Sequence, residues 1–451
     1  MLHNDWLINK FIDYNDTKAI IFNEKIYTYN DLYKRIVHYI EILKIKSIEK
    51  GDIVAIESDY SFESIALFFA LKENTNIIVP IISTASEEIT HRLNIVKAEY
   101  VVSYKNNEFA FVNLHQKHKR NTLVDKLVSA NRSGLILFSS GSTGQPKAML
   151  HDLDNLTEGY KEKKQKNINT MIFLTFDHIG GIDTMLRLFS IGGTLTIPSS
   201  RQPEEICRLI QEHKVNVLPS SPTFLNLLFL SKLNNKYDLS SLNIIAFGAE
   251  PMSESLLHRL KKSFPNVELQ QKFGTSETNA IKIKGKSNNS LFFKIDDPNL
   301  EAKIVEDELW LKSKTQILGY LNATMENFTK DGWFKTGDLV EMSEDGYIKI
   351  IGRNKEMINV GGEKVLPTEI ESIILEMNEF SDVMVYGEQN QITGESVTID
   401  IVLTGILDKR EIKKRIRKYC KNRLEQYKIP TKINIVDKTN YGERFKKIRR
   451  K

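Results

Sequence analysis

The chain has 451 residues, 41% of them hydrophobic and 27% charged, with two widely separated cysteines, Cys207 and Cys420, and a formal net charge of +5. These values exclude a disordered polymer and a disulfide-stapled miniprotein, and the length exceeds one ordinary core, so two or three domains and a reduced compartment are expected. The first residues, MLHNDWLINKFIDYND, carry acidic side chains and no long apolar run, and stretches such as LILF and IIVPII are far short of a membrane span; a cytosolic protein without a membrane span is expected.

In chain order, short β-rich runs alternate with helical patterns. DIVAIES, NIIVPII, LILFSS, MIFLTF, VNVLPS and NIIAFGA read as strands, and SFESIALFFALKEN and EEICRLIQEHK as helices. That alternation predicts doubly wound, parallel α/β layers. From about residue 300 the pattern changes to short strands (AKIVEDELWLK, GYIKIIG) and tight turns, a β-rich subdomain. Beyond residue 368 two amphipathic helical stretches, TEIESIILEMNE and REIKKRIRKYCKNRL, flank the strands DVMVYGE and SVTIDIVLT. This is a small α+β unit, with the boundary expected at IGRNKE, dividing the chain into residues 1–352 and 353–451. Residues 407–451 hold 18 Lys/Arg against 5 Asp/Glu, a local net of +13 that leaves −8 for the rest. A basic end of this kind suits a nucleotide, a phosphorylated cofactor or an acidic carrier protein. The chain carries no recognised nucleic-acid motif, and the acidic remainder argues against nucleic acid.

One stretch calls for chemistry. SSGSTGQPK, Ser139–Lys147, follows the buried-strand run LILF. A strand feeding a Gly-rich turn is a usual cradle for phosphate. It is not a Walker A loop, because Pro146, Lys147 and Ala148 stand where that pattern needs Gly-Lys-Ser/Thr: proline has no N–H to donate, and Ala148 has no hydroxyl for a metal. Ser139, Ser140, Ser142 and Thr143 offer hydroxyls, Gly141 and Gly144 let the backbone bend, and Lys147 supplies a point charge. Such a loop can hold the β- and γ-phosphates of ATP while pyrophosphate leaves.

SSGSTGQPK resembles the phosphate-loop signature of the adenylate-forming superfamily, which includes acyl-CoA synthetases, aryl-acid ligases, peptide-synthetase adenylation domains and luciferases. Further motifs follow in the family's order over about residues 135–371. FGAEP (Phe247–Pro251) resembles the adenine-pocket segment, implying nucleotide contacts from Gly248, Ala249 and Glu250. FGTSE resembles the aromatic-Gly-x-Thr-Glu motif: Phe273 would stack on adenine, Gly274, Thr275 and Ser276 would follow the phosphates, and Glu277 would hold Mg²⁺, as a hard carboxylate oxygen suits. GYLN and DGWFKTGD resemble the ribose segment, with Asp338 accepting from the ribose hydroxyls and Arg353 reaching the same sugar; Lys355 stands at the pivot position. The resemblance implies the adenylate-forming fold, a large N-terminal AMP-binding domain with a small mobile C-terminal one.

It also implies a two-step reaction. A carboxylate attacks the α-phosphate of ATP, pyrophosphate leaves, and a thiol then takes the acyl group from AMP. The INVGG segment, Ile358–Gly362, would face the thiol channel. The thiol is expected to be CoA; a phosphopantetheinyl carrier protein, which the basic end would suit, stays open. His178 in LTFDHIGGIDTML resembles the acyl pocket of acyl-CoA and aryl-acid ligases, whereas Asp177 matches an amine-binding position of amino-acid-activating relatives. A small non-amino carboxylic acid is expected, amino-acid adenylation being the alternative. The sequence departs from the family at its adenylation lysine: the tail KTNYGERFKKIRRK has Glu443 there, leaving Lys446 and Lys447 as substitutes, and a nucleotide-binding relative with impaired turnover as a reading of another class.

Overall fold

A computed structural model describes residues 3–105, 108–114, 119–140, 145–377, 379–405, 408–442 and 446–449. Two seven-stranded sheets form its larger part. In the first, Glu268–Gln271, Ile244–Phe247, Val217–Ser220, Asn169–Met171, Thr194–Ile197 and Lys18–Phe22 run parallel, and the hairpin partner Lys25–Thr28 closes one edge antiparallel. In the second, Gly134–Ser140, Ile77–Ile81, Ile53–Glu57 and Tyr100–Lys105 form a parallel centre flanked by antiparallel strands. The helix Phe62–Glu73 is buried along nearly its whole length, because it lies in the core shared by both sheets. Its sequence, FESIALFFALKE, is apolar on every side, as a helix without a solvent face must be. Ser61 caps it, accepting from the Ser64 N–H at 3.0 Å.

MIFLTF is a strand only at its first residue, Met171. Ile172 still donates its N–H to the Thr196 carbonyl at 2.9 Å, but further on side chains hold the backbone: Arg201 donates to the Phe173 carbonyl at 2.6 Å, and Asp59 accepts from the Phe176 N–H at 3.0 Å. The chain leaves the sheet here and turns into the helix that lines the cavity described below.

A six-stranded antiparallel sheet follows, and beyond it a smaller sheet built on the hairpin Phe380–Asn390 and Gly394–Leu403. The helices Pro367–Leu375 and Lys409–Lys421 cover one face of this hairpin through Ile370, Ile374, Ile412, Ile416 and Cys420, which form a core of their own. Glycines 361 and 362 have φ of +63° and +96°. They make the two-residue turn between Ile358–Val360 and Glu363–Val365, a geometry that side chains with a Cβ resist. Turn formation therefore accounts for both glycines of INVGG.

Candidate active site

Ser139 and Lys147 face each other across an antiparallel pair, and Ser140 pairs with Pro146. The strands on either side of the glycine-rich stretch thus form one antiparallel ladder, which fixes the backbone position of Lys147. Gly141, Ser142, Thr143 and Gly144 lie outside the described residues, as does Glu443. The Lys147 ammonium sits 5.5 Å from the centroid of the Tyr320 ring. Tyr320 in turn donates to Glu277 Oε1 at 3.0 Å. Burial, then the Glu277 charge, push the Tyr320 hydroxyl far above its ordinary pKa, so it remains a donor.

Glu277 lies in the turn between the short strands Phe273–Thr275 and Asn279–Ile281. Thr275 sets that turn by accepting from the Thr278 N–H at 3.0 Å. The Phe273 ring packs against Phe293 at 5.6 Å and borders a cavity of about 1380 Å³. The same cavity is lined by Ser139, Lys147, His178, Gly248, Ala249, Gly274, Thr275, Ser276, Glu277, Arg353, Lys355 and Lys446. It joins the parallel sheets, the six-stranded sheet and the C-terminal segment at one site, and most of the expected residues meet there.

Local geometry explains several of them. A Cβ at Gly248 would stand 2.6 Å from the Lys272 carbonyl oxygen, so only glycine fits. Ala249 follows at φ +72°, a left-handed conformation that costs an alanine about 1 kcal/mol. His178 is the N-cap of the helix Ile179–Ser190: its Nδ1 accepts from the Gly180 N–H at 3.1 Å while the ring borders the cavity. It holds the helix start and borders the cavity at once.

Three expected residues stand off the cavity wall. Asp338 is buried, and its Oδ1 accepts from Arg353 Nε at 2.8 Å across the pair joining Phe334–Met342 to Ile348–Arg353. Burial raises its pKa against the pull of Arg353, and Oδ2 has no partner among the described residues. Glu250 turns away and accepts from the backbone N–H groups of Thr223 at 2.6 Å and Lys447 at 3.3 Å. Lys447 carries its ammonium into the small sheet, 3.0 Å from Asp382 and 2.6 Å from the Val383 carbonyl. Burial lowers its pKa, but Asp382, Glu371 and Glu250 outweigh that and the net shift is upward. Of the two tail lysines only Lys446 borders the cavity. Asp177 also points elsewhere: its Oδ1 accepts from the Thr175 hydroxyl at 2.7 Å and its Oδ2 lies 3.6 Å from Arg92.

Sequence reasoning missed a basic group on the same wall, Lys163, Arg187 and Lys272. The nearby Asp183 is engaged by the Tyr160 hydroxyl. Desolvation, with Arg187 next, depresses the pKa of both lysines. None of the three falls in a motif; only the spacing Asp183–Arg187, one helical turn, hinted that they share a face.

A parallel-sheet body, an antiparallel ladder that places Lys147 on a cavity and a C-terminal segment reaching the same cavity fit a nucleotide-dependent acyl-activating enzyme. The chain belongs to the AMP-binding enzyme family: the family model matches residues 12–321, and the model of the AMP-binding enzyme C-terminal domain matches residues 369–443. It is an AMP-forming acid–thiol ligase. Among curated proteins it is similar to 4-coumarate–CoA ligase-like 9 of Arabidopsis thaliana, 26% identical over 82% of this chain and 74% of that one. It is also similar to 2-succinylbenzoate–CoA ligase of Listeria monocytogenes, 26% identical over 93% and 92%. Among solved structures, the anthranilate CoA ligase AuaEII in complex with anthranoyl-AMP shares the fold, with TM-score 0.84 and 18% identity over 99% of this chain and 96% of that one. No helix among the described residues is long and apolar enough to cross a membrane.

Proposed function

We propose that the enzyme adenylates an aromatic carboxylic acid bearing a second anionic group and transfers the acyl group to CoA. The observation that carries the acid's class is the grouping of Lys163, Arg187 and Lys272 on one wall, where Asp183 is engaged by Tyr160 and where Asp297 and Glu158 are further nearby carboxylates. Desolvation and the Arg187 charge depress both lysines, and partly desolvated cations grouped in this way favour an anionic ligand. The names of the similar proteins, ligases of coumarate type, 2-succinylbenzoate and anthranilate, support an aryl acid and CoA. The engagement of Asp177 with Thr175 and Arg92 argues against a substrate amine.

In this reading Lys147 and the hydroxyls of Ser139, Ser140, Ser142 and Thr143 hold the phosphates. Phe273, Gly248 and Ala249 border the adenine, and Arg353 with Asp338 takes the ribose, the unpaired Asp338 Oδ2 being an acceptor in want of a hydroxyl. Lys446, on the cavity wall, neutralises charge at the α-phosphate, and Lys447 anchors the segment. Glu277 with the hydroxyls of Thr275 and Ser276 is an all-oxygen donor set that fits Mg²⁺. When bound, the ion would neutralise charge on the leaving pyrophosphate. The residues themselves orient the acid for in-line attack and exclude water. Movement of residues 353–451 about the single turn Asn354–Glu356 would then exchange the adenylation arrangement for one that admits the thiol. The buried, unpaired cysteines, with thiol pKa values pushed up to about 12 and 11 by burial, suit a reducing cytosol.

The test is acid-dependent ATP–pyrophosphate exchange over 2-succinylbenzoate, coumarate, benzoate, fatty and amino acids, followed by CoA consumption. Exchange led by 2-succinylbenzoate, with Arg187→Gln erasing its advantage over benzoate, is the expected result. Exchange led by a fatty or amino acid would refute the acid class.

A further inference from the structure

We propose that Glu250 is a positioning residue for acid activation: through the main-chain N–H of Lys447 it holds the segment carrying Lys446 against the cavity. The inference rests on Lys446 being the lysine used in adenylation. The N–H that Glu250 accepts belongs to the peptide joining Lys446 to Lys447, so the bond fixes a plane one residue from the Lys446 side chain. Lys447 and Ile448 also pair with Tyr441 and Asn440 of the same tail, and Tyr441 packs on the core of the larger body; the charged contacts of Lys447 and Arg449 run to the small unit. The Lys447 ammonium is held by Asp382 and the Val383 carbonyl, and Arg449 pairs with Glu356 and Glu371 at 3.0 Å. The Glu250 bond crosses to the larger body at the residue that follows Lys446.

Its place in the chain gives it a reason. Glu250 follows Ala249, whose left-handed backbone forms part of the cavity wall. One short turn thus borders the nucleotide space on one side and grips the tail on the other. The second Glu250 oxygen accepts from the Thr223 N–H near the start of the helix Pro222–Leu230, so the carboxylate is aimed rather than free to swing. Burial raises its pKa, and the Thr223 bond and the Lys447 charge only partly offset this. A buried acid in so costly a setting needs partners at both oxygens. When the small unit moves, the bond to Lys447 breaks while that to Thr223 stays.

The experiment compares wild type, Lys446→Ala, Glu250→Gln and the double variant, using the acid that gives the fastest wild-type exchange. Two half-reactions are read: ATP–pyrophosphate exchange, and CoA acylation from preformed acyl-adenylate. Glu250→Gln is expected to slow exchange about tenfold, the worth of one charge-assisted hydrogen bond, and to leave acylation within about twofold. The double variant should exchange no more slowly than Lys446→Ala alone, because both act through one side chain. Trypsin should cut after Lys446 about threefold faster in Glu250→Gln than in wild type. Should Glu250→Gln fold poorly, Glu250→Asp, which keeps the charge but shortens the reach, must show the same split. Equal loss of both half-reactions, additive losses in the double variant or unchanged exchange in Glu250→Gln would overturn the proposal. Unchanged exchange in Lys446→Ala would overturn the lysine assignment as well, which separates the two failures.

Discussion

Tyr320 joins two charged residues of the cavity wall: its ring lies under the Lys147 ammonium, and its hydroxyl donates to Glu277 at 3.0 Å. The contact keeps a cation and a carboxylate in one cavity apart yet in fixed relation. Tyr320→Phe retains the ring and deletes the donor. Adenylation should fall three- to tenfold, about one hydrogen bond's worth, and half-saturation by Mg²⁺ should shift to higher concentration. Pyrophosphate exchange titrated with Mg²⁺ measures both; an unchanged titration would show that the bond does not aim Glu277.

Removing either charged partner should cost more. Lys147→Ala and Glu277→Ala are each expected to lower exchange by about a hundredfold or more, the scale of a lost transition-state charge contact. Far-UV circular dichroism should stay as in wild type, since both side chains border the cavity and neither belongs to a hydrophobic core. Wild-type exchange in either variant would remove that residue from the mechanism.

The turn Asn354–Glu356 joins the six-stranded sheet to the small unit. Lys355→Pro would fix φ at that position and restrict Asn354 before it. Adenylate formation should survive, while thioester formation should drop at least tenfold, as expected for a blocked conformational step. Rapid-quench measurement of the two steps decides; equal loss in both would argue against a pivot here.

His151 gives the larger part an acid sensitivity unrelated to the site. It is fully buried on the strand Pro146–Asp152, and neither ring nitrogen has a partner among the described residues. Burial pulls its pKa down to about 3. The folded chain therefore keeps the ring neutral while the unfolded chain binds a proton below about 6.5. Stability is fully present above that pH and is lost as pH falls, at up to about 1.4 kcal/mol per unit from this ring. His151→Leu should flatten the decline and gain about 2 kcal/mol at pH 5 relative to wild type. Urea midpoints between pH 5 and 8 provide the check.

Much of this was legible in the sequence, for local reasons. The runs DIVAIES, NIIVPII and LILFSS became strands because uninterrupted apolar residues between turn signals fit a sheet covered on both faces. MIFLTF carries the same composition and failed, because Asp59 and Arg201, far away in sequence, took its backbone groups. The motif residues that line the cavity could be named because each motif is contiguous. What could not be read was the direction of single side chains. Glu250 stands next to the wall residue Ala249 yet faces away, and Lys446 and Lys447, adjacent in sequence, part to opposite sides. The cations Lys163, Arg187 and Lys272 come from separate segments, and only the fold brings them together.

The apolar helix Phe62–Glu73 has a further consequence. Its core takes Ile20, Leu195 and Ile197 from one seven-stranded sheet and Val54, Ile56, Ile78 and Leu137 from the other. Neither sheet can shed that helix without exposing the other, so the two should melt in a single calorimetric event. The small sheet, with its separate core of Ile370, Val385, Ile399 and Ile416, owes nothing to that helix and should give a second event. A heating scan would then show two peaks, and a ligand that closes the cavity should draw them together.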